Sequence, residues 1–225
     1  TEFQLQDLAI VTELSVTHLM LYLWHAINQH FLLKVSDHPE CLDDELIHNQ
    51  TFRFAHDRLQ ESAYALNDAD TIDEHHWHMA KRLAQVIQDD EERQNQKLYW
   101  ITNAINRGAK QCAQSKDHEW IVAWNLKSAE KSMLNLAYRS ALDYLRLAAQ
   151  YLPKDHLIHP TQQAFQCYKY QIESEFLCGN EHEVDRLFKT LIYESKFSTI
   201  DKAEIYSIYV KILSSLSRQE EAIQI

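Results

Sequence analysis

Residues 52–66 read Phe52-Arg53-Phe54-Ala55-His56-Asp57-Arg58-Leu59-Gln60-Glu61-Ser62-Ala63-Tyr64-Ala65-Leu66, and two periodicities meet inside this stretch. Phe52 and Phe54 alternate with Thr51, Arg53 and Ala55, which is the period of a strand. From His56 onward Leu59, Ala63 and Leu66 recur at helical spacing, with Tyr64 beside them. A short strand therefore runs into an amphipathic helix with no Gly or Pro between the two. Asp57 falls in the first helical turn, where a carboxylate suits the positive end of the helix. His56 and Arg58 are predicted to hydrogen-bond to neighbouring elements.

Working toward the N-terminus, residues 1–35 read as helices. Val16, Leu19, Met20, Leu23, Ile27 and Phe31 form an apolar stripe at i, i+3, i+4 and i+7, and Ser15 or Thr12 can cap it. Leu32 to Val35 then turns strand-like. The segment 36–50 is a polar loop carrying Asp37, Glu40, Asp43, Asp44 and Glu45 but no Lys or Arg. Helix–helix–strand–loop–strand–helix is the outline of a winged-helix-like unit over residues 1–68, with the loop as the tip of its wing. A DNA-reading wing or recognition helix carries cations that contact phosphate. The 16–31 helix has no Lys or Arg and the loop is acidic, so a structural adaptor is predicted rather than a nucleic-acid reader.

The composition points the same way. With 2 Gly and 3 Pro in 225 residues, against usual levels of about 7% and 5%, the chain suits long helices joined by short polar turns. A mainly α fold follows, with at most a hairpin near the N-terminus. The net charge of −11, from 33 acidic and 22 basic residues, disfavours both nucleic acid and anionic membrane surfaces. Cys41, Cys112, Cys167 and Cys178 form no C-x-x-C pair and no zinc-type spacing. They read as free thiols in a reducing compartment. No apolar run approaches the roughly 18 residues of a membrane span. Thr1-Glu-Phe-Gln-Leu5 lacks the basic start of a leader peptide and does not read as one, and a cytoplasmic location is expected. The chain begins without Met and stops within a helical pattern, as a piece of something longer would.

Working toward the C-terminus, a helix is predicted over 71–89, capped by Thr71 or Asp73, with Trp77, Ala80, Leu83, Ala84 and Ile87 on its apolar face. Asp89 to Glu92 marks a solvated turn. A helix over about 94–106 follows, with Leu98, Ile101, Thr102 and Ile105 on one side. Asn106-Arg107-Gly108 is expected to end it, with Gly in the left-handed position. From about residue 119 the chain is repetitive. Ala129, Tyr138, Ala141, Leu145, Ala148 and Pro153 fall at positions 8, 17, 20, 24, 27 and 32 of a tetratricopeptide (TPR)-like unit. Small residues at 8, 20 and 27 let two antiparallel helices approach closely. Ile172, Gly179, Val184, Phe188 and Leu191 begin the pattern again, and a third unit begins near residue 200 with Ala222 at its position 20. Position 20 thus falls at Ala141, Val184 and Ala222 in turn, wider and less regular than the usual period of about 34 residues. Residues 69–225 read as an α-α superhelix of degenerate TPR-like repeats.

No catalytic motif is present. Two distant glycines cannot build a phosphate-cradling G-x-x-x-x-G-K-[ST] loop, and no nucleophile elbow, zinc-protease or kinase motif occurs. His75-His76-Trp77-His78 places two imidazoles on one helical face, but nothing nearby completes a metal set. One packed His on a solvated helix is the expected arrangement. Glu173 with Glu175, and Glu181 with Glu183, read as solvated helix faces rather than acid–base pairs. No catalytic, cofactor or metal residue is assigned. The repeat register instead turns positions 5, 9 and 12 of each first helix to the concave side. This makes Lys169, Glu173, Phe176 and Lys211 the candidate partner-binding residues.

The stretch Phe54-Ala-His56-Asp57-Arg58-Leu-Gln60, continuing to Ala63-Tyr64, resembles the FxHDRxQxAAY signature of large bacterial multi-sensor signalling proteins with an AAA/STAND-type ATPase. Asn106-Arg107-Gly108 is similar to an NRG turn of that family, although Ala104 stands where the family usually has His. His56, Asp57, Arg58, Gln60 and Tyr64 are the signature positions in this chain. The resemblance implies a helical region between the ATPase and sensor or kinase output domains. On that basis the chain is a non-catalytic regulatory and protein-interaction module without cofactor. Its partners would be neighbouring domains of the parent protein or a peptide or protein. A superhelix that senses a small-molecule inducer for a transcription regulator is the alternative.

Overall fold

The computed structural model describes residues 2–35 and 50–224. They are mainly helical, and they divide into two compact units, Thr1–Cys112 and Ala113–Ile225. The sequence reading draws its boundary after residue 68 instead. The helices at 69–112 stay with the first unit because they pack on the N-terminal helix. Asp7 there accepts from Arg93 Nη2 at 2.7 Å and from Lys97 Nζ at 2.5 Å.

The first unit begins with a strand, β1 (Glu2–Gln4), not a helix. It is followed by α1 (Leu5–Thr12), α2 (Val16–Asn28), β2 (Leu32–Lys34), β3 (Thr51–Phe54), α3 (Asp57–Ala65), α4 (Ala69–Val86) and α5 (Glu91–Cys112). The strands form an antiparallel sheet of order β1-β3-β2, pairing Phe3 with Phe52 and Lys34 with Phe52. The expected hairpin is therefore a three-stranded sheet. Phe52 is buried and Arg53 exposed, the alternation of a half-buried strand. Phe52 packs with Leu5 and Leu19, and Phe3, Val16, Met20, Leu23 and Ile27 close around them. The wing-tip loop of the sequence reading lies, apart from Gln50, outside the described residues.

Ser15 caps α2, its hydroxyl accepting from His18 N–H at 3.3 Å, as the sequence allows. Phe31 does not continue the stripe. His30 adopts φ 58°, the chain reverses into β2, and Phe31 is left half exposed. The opposite face of α2 also carries exposed apolar side chains, Leu21, Tyr22 and Trp24.

Helices α4 and α5 pack along their length, burying Trp77, Ala80, Leu83 and Ile87 with Leu98, Ile101 and Ile105. Two expectations change here. Helix α4 starts at Ala69 rather than 71, and Asp73, one of its expected caps, pairs instead with Arg107 on α5 at 2.6 Å. Helix α5 runs through Asn106-Arg107-Gly108 to Cys112. Gly108 is a mid-helix contact point, not a left-handed cap: a Cβ there would collide with the Asp73 carbonyl oxygen and lie 2.5 Å from Trp77 Cβ. Among the described residues no single helix is long and apolar enough to cross a membrane; α1 and α2 pass that test only as a pair bent by 114°.

The second unit opens with a 3-10 turn at Ser115–Asp117. It continues through α6 (His118–Leu134), α7 (Tyr138–Tyr151), α8 (Gln162–Leu177), α9 (Glu181–Lys189) with a π-helical extension Thr190–Glu194, α10 (Thr199–Ser215) and α11 (Gln219–Gln224). Three of its turns share one geometry. Leu136, Gly179 and Ser217 take φ of 60°, 79° and 60°. In each case the N–H of the following residue donates back across the turn: Ala137 to the Ser132 carbonyl, Asn180 to Glu175, Arg218 to Leu213. This Schellman-type closure satisfies the helix-end carbonyls and folds the following helix back. Leu136, Gly179 and Ser217 precede Ala141, Val184 and Ala222 by one constant interval, so the turn recurs in step with the sequence pattern.

Ala129, Ala141, Leu145 and Ala148 are fully buried in a core that continues through Ile172, Val184, Phe188 and Leu191 to Ile205 and Leu213. Ala222 packs at its edge. Two acids stitch successive hairpins. Glu175, buried on α8, accepts from Arg146 of α7 at 3.0 Å and from Asn180 of the turn at 2.5 Å. Asp185 on α9 accepts from Tyr209 at 2.7 Å and from Arg218 at 3.1 Å, beneath a Phe188–Tyr209 stack 3.8 Å apart.

Candidate functional site

Two surfaces gather the residues that the sequence singles out, one in each unit. In the first, α3 carries Asp57, Arg58, Gln60 and Tyr64 and buries none of its side chains. Leu59 is only half-buried, and Ala63 and Leu66 are exposed, so the expected apolar face of this helix is not covered. His56 and Arg58 make no side-chain hydrogen bond or ion pair among the described residues, contrary to the expected tie.

Tyr64 makes that tie instead. Its hydroxyl lies 2.8 Å from His76 Nε2 on α4, and the Arg107 guanidinium from α5 sits over its ring, 5.4 Å from the centroid. Burial, and then the Arg107 charge, hold the His76 pKa below its usual value. The neutral ring can accept a hydrogen bond from the Tyr64 hydroxyl at Nε2. Asp57, Gln60, Glu61 and Tyr64 line one side of a hollow of about 710 Å³, with His76 and Arg107 opposite. The signature segment and the Asn106-Arg107-Gly108 segment thus meet, through Tyr64 and Arg107. Of the clustered imidazoles, His76 is the half-buried one tied to another helix, whereas His78 lies 3.6 Å from the Glu74 carboxylate one turn before it on α4. His75 and His78 are exposed, and no group of three or more His, Cys, Asp or Glu able to hold a metal occurs among the described residues.

In the second unit, Lys169 on α8 and Glu204 on α10 form an ion pair at 2.6 Å. That hydrogen bond raises the Lys169 pKa. Glu173, one turn along α8, feels the Lys169, Glu204 and Lys211 charges, but its burial outweighs the two lysines and raises its pKa. Lys211 is exposed two turns beyond Glu204 on α10. Tyr170 donates to Glu130 of α6 at 3.3 Å, extending the polar strip by one more helix. The structure therefore groups Lys169, Glu173 and Lys211. It sets Phe176 apart: that ring is half-buried and packs on the core, so it offers little free aromatic surface.

Sequence reasoning missed Glu204 and Glu130. Glu204 lies two helical turns before Lys211, on the same face, and that spacing is the signal that points to it. Nothing local marks Glu130 as the partner of Tyr170, because the two sit on different helices far apart in the chain. Comparison of the chain with protein-family models, with characterised proteins and with solved structures finds no match in any of the three.

Proposed function

We propose that this chain is a non-catalytic regulatory and protein-interaction module of a larger bacterial signal-transduction ATPase or kinase. In this reading the N-terminal part is winged-helix-like and the helices after it form a degenerate TPR-like superhelix. The recurrence of one turn geometry at Leu136, Gly179 and Ser217 supports the repeat reading, since these turns keep step with Ala141, Val184 and Ala222 of the sequence pattern.

The observation that carries the proposal is the mixed-charge strip on α8 and α10. Lys169, Glu173, Glu204 and Lys211 are held together on one face. Such a strip suits a polar peptide or a neighbouring protein domain, whose own charges set its register. By binding in one state and not another, a partner shifts the population of the parent assembly. The module is proposed to act in the cytoplasm and to bind no nucleic acid.

The test is partner capture by the full-length protein carrying Lys169→Glu and Lys211→Glu. Capture should fall several-fold while circular dichroism stays unchanged. Equal capture by variant and wild type would remove this face from the binding site. The purified chain should also release no phosphate from ATP above a buffer blank; turnover would refute the non-catalytic part.

A further inference from the structure

A second concavity in the C-terminal unit owes nothing to the charged strip. It lies where α6 begins, α7 ends and α8 begins, and it encloses about 500 Å³, within the ~300–1,000 Å³ typical of ligand pockets. Its floor is apolar: Val122 and Leu152 are 1% and 7% exposed, and Pro153 lies beside them. One wall is aromatic, with His118 and Tyr151 edge to face at 5.3 Å. The rim is polar, formed by Thr161, Gln162 and Glu119.

Charge decides what such a pocket takes. No Lys or Arg lines it, and Glu119 is its one formally charged side chain. Two helix N-termini each supply roughly half a positive charge and the α7 C-terminus roughly half a negative one. With Glu119 the balance is about half a negative charge, so an anion is rejected and a cation favoured. An apolar floor with an aromatic wall selects a flat ring, and aromatic faces also attract an ammonium group. The Tyr151 phenol is a neutral hydrogen-bond donor near pH 7, and burial raises its pKa further.

We infer that this pocket binds a small aromatic amine, its ring on Val122, Leu152 and Pro153 and its ammonium group at Glu119. The site shares no residue with Lys169, Glu173, Glu204 or Lys211, so either reading can fail alone.

Three probes with one ring system and different charge test it: tryptamine, indole and indole-3-acetate. They are titrated to about millimolar into the full chain with labelled methyl groups. Tryptamine should shift the Val122 and Leu152 methyl resonances most and indole-3-acetate least. Glu119→Gln, at an exposed position, should weaken tryptamine several-fold (~2–5, the range of a partly exposed ion pair) and leave indole unchanged. Gln162→Trp, also exposed, should fill the mouth and abolish both shifts with the melting temperature preserved. Absence of methyl shifts with any probe would overturn the inference. So would equal shifts with the anion, or a tryptamine affinity that Glu119→Gln does not move.

Discussion

Gly108 of α5 is packed directly against Trp77 of α4: a Cβ on Gly108 would lie 2.5 Å from the Trp77 Cβ. The second obstacle is the carbonyl oxygen of Asp73, which belongs to the backbone and cannot swing away. Gly108→Ala should therefore destabilise the chain. Overpacking typically costs about 1–3 kcal/mol and works against the ~1 kcal/mol that Ala gains over Gly in a helix. A lowered melting temperature is expected. Gly179 is the opposite case, with φ 79° and open space around it. Gly179→Asn should be tolerated, because Asn accepts a left-handed backbone, while Gly108→Asn should not. Equal melting temperatures for the two Asn variants would contradict this.

The Tyr64–His76 contact should give a pH-dependent stability. Burial and Arg107 depress the His76 pKa in the fold, so the unfolded chain binds the proton more readily. The stabilisation is complete above the unfolded value of about 6.5. It is lost as pH falls from there through the lower folded value. His76→Gln removes the titrating group. Between pH 7.5 and 5.5 the wild type should lose more thermal stability than this variant, measured by thermal denaturation in matched buffers. A constant difference between the two proteins would show that His76 does not contribute.

Glu173 works in the other direction. Its raised pKa means that the folded chain holds the proton better, so ionisation costs stability as pH rises through the interval between the unfolded and folded values. Glu173→Gln should raise the melting temperature slightly at pH 7 and bring no gain near pH 4, where both states are largely protonated. A gain that persists unchanged at pH 4 would point to packing rather than charge.

Ala141 and Ala148 are both fully buried on α7. Replacing either with Leu should cost about 1–3 kcal/mol by overpacking. For a unit of this size, 1 kcal/mol is roughly 4–8 °C in melting temperature, well within calorimetric reach. Two unshifted transitions would mean that the helices separate easily at these points.

The elements set by local pattern are legible in the sequence. Phe52 and Phe54 announce β3 by alternation, Ser15 announces the start of α2, and the small residues at 129, 141 and 148 announce close helix pairing. What escapes is set by distant partners. Strand β1 is short and exists because Phe3 pairs with Phe52, which no local period reveals. Gly108 has the look of a helix stop because its reason for being Gly lies on another helix, at Asp73 and Trp77. Leu59 and Ala63 of α3, with Leu66 just after it, have the pattern of a buried face, yet Leu59 is only half-buried and the other two are exposed. At the candidate strip Lys169, Glu173 and Lys211 are named from the expected repeat register, whereas the pairing of Glu204 with Lys169 emerges only when α8 and α10 are seen side by side.

The buried Glu175 has a mechanical consequence. Its carboxylate belongs to α8, yet one of its donors comes from α7 and the other from the turn into α9. Peeling α9 away removes Asn180, and peeling α7 away removes Arg146; either leaves a desolvated acid short of a partner. Asp185 on α9, partly exposed, makes a further link, accepting from Tyr209 of α10 and from Arg218 of the turn into α11. Helix pairs linked this way resist coming off the stack one by one, and the C-terminal unit should rupture as a single cooperative block under force.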